Sequence, residues 1–389
     1  MADPFGPAKL GPVDLRNRVL KAATFEGMSP GGVVSRSLID FHRRVAAGGV
    51  AMTTVSYIAV SRDGRGAPNE IYIHDRAADG LGRIASAVHA EGAAISAQLG
   101  HAGQVGTIRK RYLGPSAART ITGTRVTPIS RDEIDEVVGQ FAAGAAMLAV
   151  AGFDAVELHF GHHYLVSAFL NPRWNKRTDD YGGTVANRAR LALRILTEVR
   201  ASVGDGIAVT AKLNMTDGIR RGLTVADSID VARLLQADGG LDALTLSGGG
   251  SQANQMFMFR GDPPRKEMAA ALPGVQGLAF RVAGRALFRA YPFEEAYFLP
   301  LARQFRAALT LPLILLGGIT TRASIEQAMT DGFEFVAMGR ALLREPDLVR
   351  KLAAGEVAGG TCVHCNKCVP SIYSGTRCVL DNPDPVIVC

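Results

Sequence analysis

The first 361 of the 389 residues contain no cysteine. A disulfide-stapled secreted domain spreads its cysteines through the chain, so that class is excluded. Long hydrophobic runs are missing as well. A stretch such as FAAGAAMLAVAGF, residues 141–153, is too short to span a bilayer, so no membrane association is expected. The opening MADPFGPAKL has neither a basic flank nor an apolar core, so no secretory leader and a cytoplasmic location are expected. No Lys/Arg block occurs. The net charge of +7, from 43 basic and 36 acidic residues, is scattered, which argues against nucleic acid and suits small phosphate-bearing molecules. No G-x-G-x-x-G follows a strand, which excludes a dedicated dinucleotide domain.

What is present reads as a soluble globular chain, 47% hydrophobic and 20% charged. Short apolar or β-branched runs alternate with longer amphipathic ones. The strand candidates are 19–23, 50–55, 94–99, 155–158, 207–213, 243–246, 313–316 and 335–338. Helical stretches follow most of them, at 37–47, 77–91, 188–201, 225–237 and 321–330, and Ser130-x-x-Glu133 reads as a capping box opening a helix through Ala151. Apolar strands alternating with helices imply a parallel sheet covered on both faces, and eight such units imply an α/β fold, the (β/α)8 TIM barrel. The strands end in Thr24, Ser56, Gln98, His159, Lys212, Ser247, Gly317 and Gly339 with Arg340. Barrel enzymes carry their chemistry at these ends, although loops are polar in any protein. A single domain over 1–389 is expected. Within it, 248–311 is too long for one loop and helix and reads as a helical insertion, either a lid over the barrel mouth or an oligomer contact. Residues 361–389 form a Cys-rich extension.

The most informative stretch is HFGHHYLVSAFLNPRWNKRTDDYGG, His159 to Gly183. His159, His162 and Tyr164 emerge within six residues just past a strand, a set of hydrogen-bond donors and proton carriers. Buried histidines that merely satisfy their own polar atoms are the bland alternative. The pattern H-x-x-H-x-Y-L-x-x-x-F-L-x-P-x-x-N-x-R-x-D-x-Y-G-G resembles the old yellow enzyme family of FMN-dependent ene reductases. It is especially similar to the branch with 2,4-dienoyl-CoA reductase and trimethylamine dehydrogenase, and the likeness runs from about Leu10 to Asn382. The second, FAD-bearing domain of that branch is not expected in this chain.

The resemblance implies roles. His159 and His162 match the pair that hydrogen-bonds an activating carbonyl, and Tyr164 matches the proton donor. Two donors on a developing oxyanion are each worth roughly 3 kcal/mol in comparable sites. Ala22, Ala23 and Thr24 match the turn beneath the flavin, and Tyr57 narrows the pocket. Phe25 stands where relatives carry a Thr or Cys that tunes the flavin. The amide of Gln98 suits the flavin's pyrimidine edge, and Lys212 brings a positive charge near N1 and O2, unless it is only an internal ion pair. Gly317, Gly318, Gly339 and Arg340 match the FMN phosphate site, where bare backbone N–H groups and a guanidinium meet the anion. NADH or NADPH would share the pocket with the alkene substrate in alternation. Asp179, Tyr181, Gly182, Gly183, Asn187 and Arg188 read as structural.

Cys362, Cys365, Cys368 and Cys378 are spaced C-x2-C-x2-C with a fourth ten residues on. They resemble the [4Fe–4S] site of the same branch; a zinc site or four free thiols stay open. The cluster would make the chain an amine dehydrogenase-like flavoprotein passing electrons to a partner protein. A tRNA dihydrouridine synthase-like barrel is disfavoured, because its cysteine acid has no counterpart before 362. A homo-oligomer is expected.

Overall fold

Eight short strands pair in sequence order and close on themselves, every pairing parallel. The computed structural model describes residues 2–106, 111–120, 123–272 and 274–386. The barrel strands are β1 (Val19–Lys21), β2 (Met52–Ala59), β3 (Ala94–Gly100), β4 (Ala155–Phe160), β5 (Ala208–Asn214), β6 (Ala243–Ser247), β7 (Leu313–Leu316) and β8 (Phe335–Met338). Pairing of β8 with β1 and of β1 with β2 completes the ring, the (β/α)8 barrel expected from the sequence. Several strand ends differ from expectation by a residue or two, and that of β2 by more. β1 stops at Lys21, leaving residues 22–24 beyond it. β2 continues to Ala59, because it pairs with β3 through a register shift between Val55 and Ile58 and also with Ile71–Tyr72. Ser56 and Tyr57 therefore sit inside a strand at its irregularity, not after it.

Side-chain alternation explains how the barrel is filled. At the strand starts the interior positions include Ala155, Ala208 and Ala243. These small residues leave room for Leu10 and Leu15, carried by the antiparallel hairpin Ala8–Leu10 and Val13–Leu15, which pack there with Met52, Ile314 and Phe335. The apolar floor ends one layer up. Two residues on, the same face carries Glu157, Thr210 and Thr245, and then His159, Lys212 and Ser247.

The outer ring is made by helices Arg36–Ala47, Ala78–His89, Arg131–Val150, Val185–Val203, Val225–Asp238, Leu299–Ala308, Arg322–Thr330 and the pair Arg340–Arg344 and Leu348–Ala354. The capping box is formed. The Ser130 hydroxyl accepts from Glu133 N at 3.2 Å, and the Glu133 carboxylate accepts from Ser130 N at 2.8 Å. Such a cap stabilises a helix by about 1 kcal/mol. Among the described residues no helix is long and apolar enough to cross a membrane.

Between β6 and β7 the chain builds helices Gln255–Phe259, Arg265–Ala271 and Gly274–Leu287 before the outer helix Leu299–Ala308. Met256, Met268, Ala269, Phe280 and Phe288 give this segment a small apolar cluster of its own. After Ala354 the chain folds back to the loop that follows the first strand. Thr376 N donates to Glu26 O at 2.9 Å, and Ile372 O lies where a Cβ on Gly27 would be. The last three residues of the Cys-rich extension lie outside the described residues.

Candidate active site

One carboxylate organises the interior above the apolar floor. Glu157 Oε1 accepts from Gln98 Nε2 at 2.7 Å and from Lys212 Nζ at 2.8 Å, while Oε2 accepts from Thr245 Oγ1 at 3.0 Å. Strand register accounts for this: Glu157 is opposite Gln98 on β3, and Lys212 is opposite Thr245 on β6. All four side chains are buried. Sequence reasoning placed Gln98 and Lys212 but passed over Glu157. The available signal was an acidic residue inside an apolar run, two positions before His159 and so on its face.

His159, the next residue on that face, forms an aromatic cluster with the other residues singled out. Its ring centroid lies 4.5 Å from Tyr164, 5.1 Å from His162 and 6.4 Å from Tyr57, and Tyr57 meets Tyr164 edge-on at 5.3 Å. The Tyr57 hydroxyl donates to Gly64 O at 2.6 Å, which holds this ring in place. His162 and His163 both take left-handed backbone angles, φ 60° and 68°, unusual for residues with side chains. Neighbours hold the turn. The His162 amide donates to Asn214 Oδ1, and the His163 amide to Ser167 Oγ, each at 3.2 Å. The His162 ring contacts Ser247 Oγ at 2.8 Å. His163 points the other way, buried against Trp174 at 4.2 Å and 3.6 Å from Asp217. Asp217 also accepts from Asn214 at 2.7 Å, so the turn rests on a polar network that the sequence did not announce.

The electrostatics suit donors rather than charges. Burial, with His162 and Lys212 nearby, pushes His159 well below the ordinary imidazole value; burial and Lys212 push His162 down to about 3. Both rings are neutral near pH 7. The Nδ1 atom of His159 is buried without a hydrogen-bond partner among the described residues. Burial and the nearby Glu70 raise the Tyr164 phenol, so it holds its proton. A stability consequence follows by linkage. The unfolded histidines gain protons below about pH 6.5, while His162 resists protonation until about pH 3. Their contribution is therefore complete above about pH 6.5 and is lost as pH falls through that window. The unfolding temperature should drop on acidification. The drop should be shallower in a His159→Gln/His162→Gln variant; thermal scans at stepped pH check this, and equal slopes would contradict it.

The phosphate-site candidates follow β7 and β8, on the same C-terminal strand ends but in another part of the ring from β4. Gly317 and Gly318 have φ of 108° and 75°, and an added Cβ would meet Phe298 at 2.5 Å and Tyr297 at 2.7 Å, respectively. Both positions require glycine, because the rings of Phe298 and Tyr297 pack directly against them. Gly339 precedes Arg340, which begins the short helix after β8. Arg340 donates to Arg260 O at 3.1 Å, to Phe259 O and to Asn366 Oδ1. It thus joins β8 to the insertion and to the Cys-rich tail. Beneath residues 22–24, the buried Lys21 donates to Glu26 at 2.7 Å, and Glu26 also receives Thr24 Oγ1 at 3.1 Å and Ser56 N at 2.8 Å. This pair pins the first loop to β2. Together the glycines, a guanidinium, an amide, a lysine and the unmet His159 nitrogen are donors of the kinds that a phosphate and a pyrimidine edge of FMN would need.

Cys362, Cys365, Cys368 and Cys378 line a single pocket with Arg340, Arg344, His364 and Asn366. Burial and the other three thiols push Cys368 up to about 12. Among the described residues no three His, Cys, Asp or Glu side chains are grouped to hold one metal ion. The four thiols thus share a pocket without converging on a single point. His364 stacks flat on Phe293, and Asn366 donates to Arg260 O at 3.0 Å and Asp262 O at 3.1 Å, docking the tail on the insertion.

The NADH:flavin oxidoreductase / NADH oxidase family matches residues 3–244. A 4,4'-dithiodibutanoate disulfide reductase of Rhodococcus erythropolis is 50% identical over 387 residues, covering 97% of this chain and 94% of that protein. Among solved structures, the old yellow enzyme homologue from Zymomonas mobilis superposes with TM-score 0.73 at 21% identity, covering 99% of this chain and 100% of that one. A 2-naphthoyl-CoA reductase superposes with TM-score 0.80 at 23% identity, over 95% of this chain but 55% of that one. The chain likewise spans about half the length of several other curated relatives it matches. By the family match and the 50% identity over nearly its whole length, the chain belongs to the NADH:flavin oxidoreductase / NADH oxidase family, that of the old yellow enzymes, and is an FMN-dependent NAD(P)H oxidoreductase.

Proposed function

We propose that the chain reduces an activated alkene, an α,β-unsaturated carbonyl or enoyl compound, at the mouth lined by His159, His162 and Tyr164. The observation that carries this reading is a protonated phenol packed 4.5 Å from a neutral, unsatisfied imidazole. Bound FMN, reduced by NADH or NADPH, supplies hydride. His159 and His162 donate N–H bonds to the substrate oxygen, where negative charge grows as hydride arrives. Tyr164 gives its proton to the α-carbon. A disulfide is the second reading, favoured by the 50% identical relative from Rhodococcus erythropolis. There the histidine pair would steady a departing thiolate. The test is turnover of purified enzyme with NADH or NADPH against cyclohexenone and against 4,4'-dithiodibutanoate. A kcat/KM for the disulfide about 10³-fold above the enone would replace the first reading with the second.

For the tail, the reading is a [4Fe–4S] cluster held by Cys362, Cys365, Cys368 and Cys378. What supports it is that all four thiols line one pocket. A loaded cluster would supply one-electron transfer to a partner protein, and Val363, Tyr373 and Leu380 are exposed hydrophobics of the same tail. Anaerobically prepared protein is expected to carry about four irons per chain and to lose them in a Cys365→Ser variant. Iron-free protein after anaerobic reconstitution would remove the cluster from the account.

A further inference from the structure

We propose that Glu157 is a positioning residue that sets the charge at the pyrimidine end of the flavin, by neutralising Lys212 and fixing the orientation of Gln98. This rests on the reading above that Gln98 and Lys212 flank that end. Glu157 reaches three strands at once, and all three partners donate to it. A carboxylate accepts only from the NH2 end of an amide, so Nε2 of Gln98 is anchored inward and Oε1 is left as the acceptor, in reach of Ser56 Oγ at 3.4 Å. The charge balance of the interior is equally specific. Lys21 has its own carboxylate, Glu26, at 2.7 Å, and lies in the field of both Lys212 and Glu157. His159 and His162 are neutral. Each of these two buried lysines thus has its own carboxylate, and Glu157 is the partner of Lys212 at 2.8 Å. A flavin gains negative charge at N1 and O2 when reduced, so an unbalanced Lys212 would favour reduction and Glu157 restrains it.

The test uses FMN-loaded protein and two equilibrium readouts, the two-electron midpoint potential and the dissociation constant of sulfite, an anion that adds to oxidised flavin and places charge at the same end. Glu157→Gln should tighten sulfite about tenfold and raise the midpoint by the equivalent, about 30 mV for two electrons. Lys212→Gln should shift both readouts the other way. If Lys212→Gln moves neither, the flavin does not lie against Lys212 and the underlying reading fails. If Lys212→Gln moves both but Glu157→Gln moves neither, or moves them as Lys212→Gln does, Glu157 is only a structural anchor and this proposal is overturned. Glu157→Gln leaves a buried lysine unpaired, so the comparison is repeated in the Lys212→Gln background. There no cation is left to neutralise, so adding Glu157→Gln should raise the potential far less than in wild type, and a rise of the same size overturns the proposal.

Discussion

Tyr164→Phe is expected to slow enone reduction by about 10²–10⁴-fold while NAD(P)H reduces the bound flavin at the normal rate. The phenol keeps its proton because burial and Glu70 both oppose its ionisation. Tyr57 and His159 hold the ring from two sides, at 5.3 Å and 4.5 Å, so removing the hydroxyl leaves the packing in place. Only the step that needs a proton on carbon should suffer. Rapid-mixing measurements separate the two half-reactions, and equal losses in both would contradict the role. The same variant distinguishes the substrate readings. A thiolate, with a parent thiol pKa near 8.5, is a stable anion that leaves without a general acid. Disulfide reduction by Tyr164→Phe should therefore stay within about tenfold of wild type.

Arg340→Ala is expected to cost about 10²-fold in FMN affinity, so that dialysis yields largely colourless protein. A hydrogen bond to a charged group is worth about 1.5–3 kcal/mol, and 1.4 kcal/mol is tenfold in binding. The guanidinium has five N–H donors, enough for the carbonyls of Phe259 and Arg260, the amide of Asn366 and a phosphate. The same substitution unties the tail from the barrel. Limited proteolysis should cut within residues 361–386 at protease levels that leave wild type intact. Full flavin occupancy after dialysis would dismiss the phosphate role, whatever the tail does.

Much of the candidate site was legible because barrel chemistry sits at strand ends, and strands are short apolar runs that can be read in order. His159, Lys212 and Gln98 stand out as polar residues at the edge of such runs, and β4, β5 and β3 place them in neighbouring register. Tyr57 was read as lying after its strand; the register shift that keeps it inside β2 depends on pairing with β3 and with Ile71–Tyr72, a long-range event with no local mark. Glu157 was hidden for the opposite reason: one charge within an apolar run looks like an exception until three donors from three strands surround it. Asp217 supports the His162 turn across about fifty residues of chain, through Asn214 and beside His163.

The sequence by itself determined the barrel, the family, the histidine–tyrosine group and the cysteine spacing, because periodicity, strand-end polarity and contiguous motifs are local properties of the chain. Tertiary structure alone decided how the charges are shared. Lys212 is matched by Glu157, Lys21 by Glu26, and Arg340 ties strand β8 to both the insertion and the tail. Such pairings depend on which side chains the closed barrel brings within about 3 Å of one another in a low-dielectric interior, where an unmatched charge is costly. No one-dimensional spacing encodes that distance.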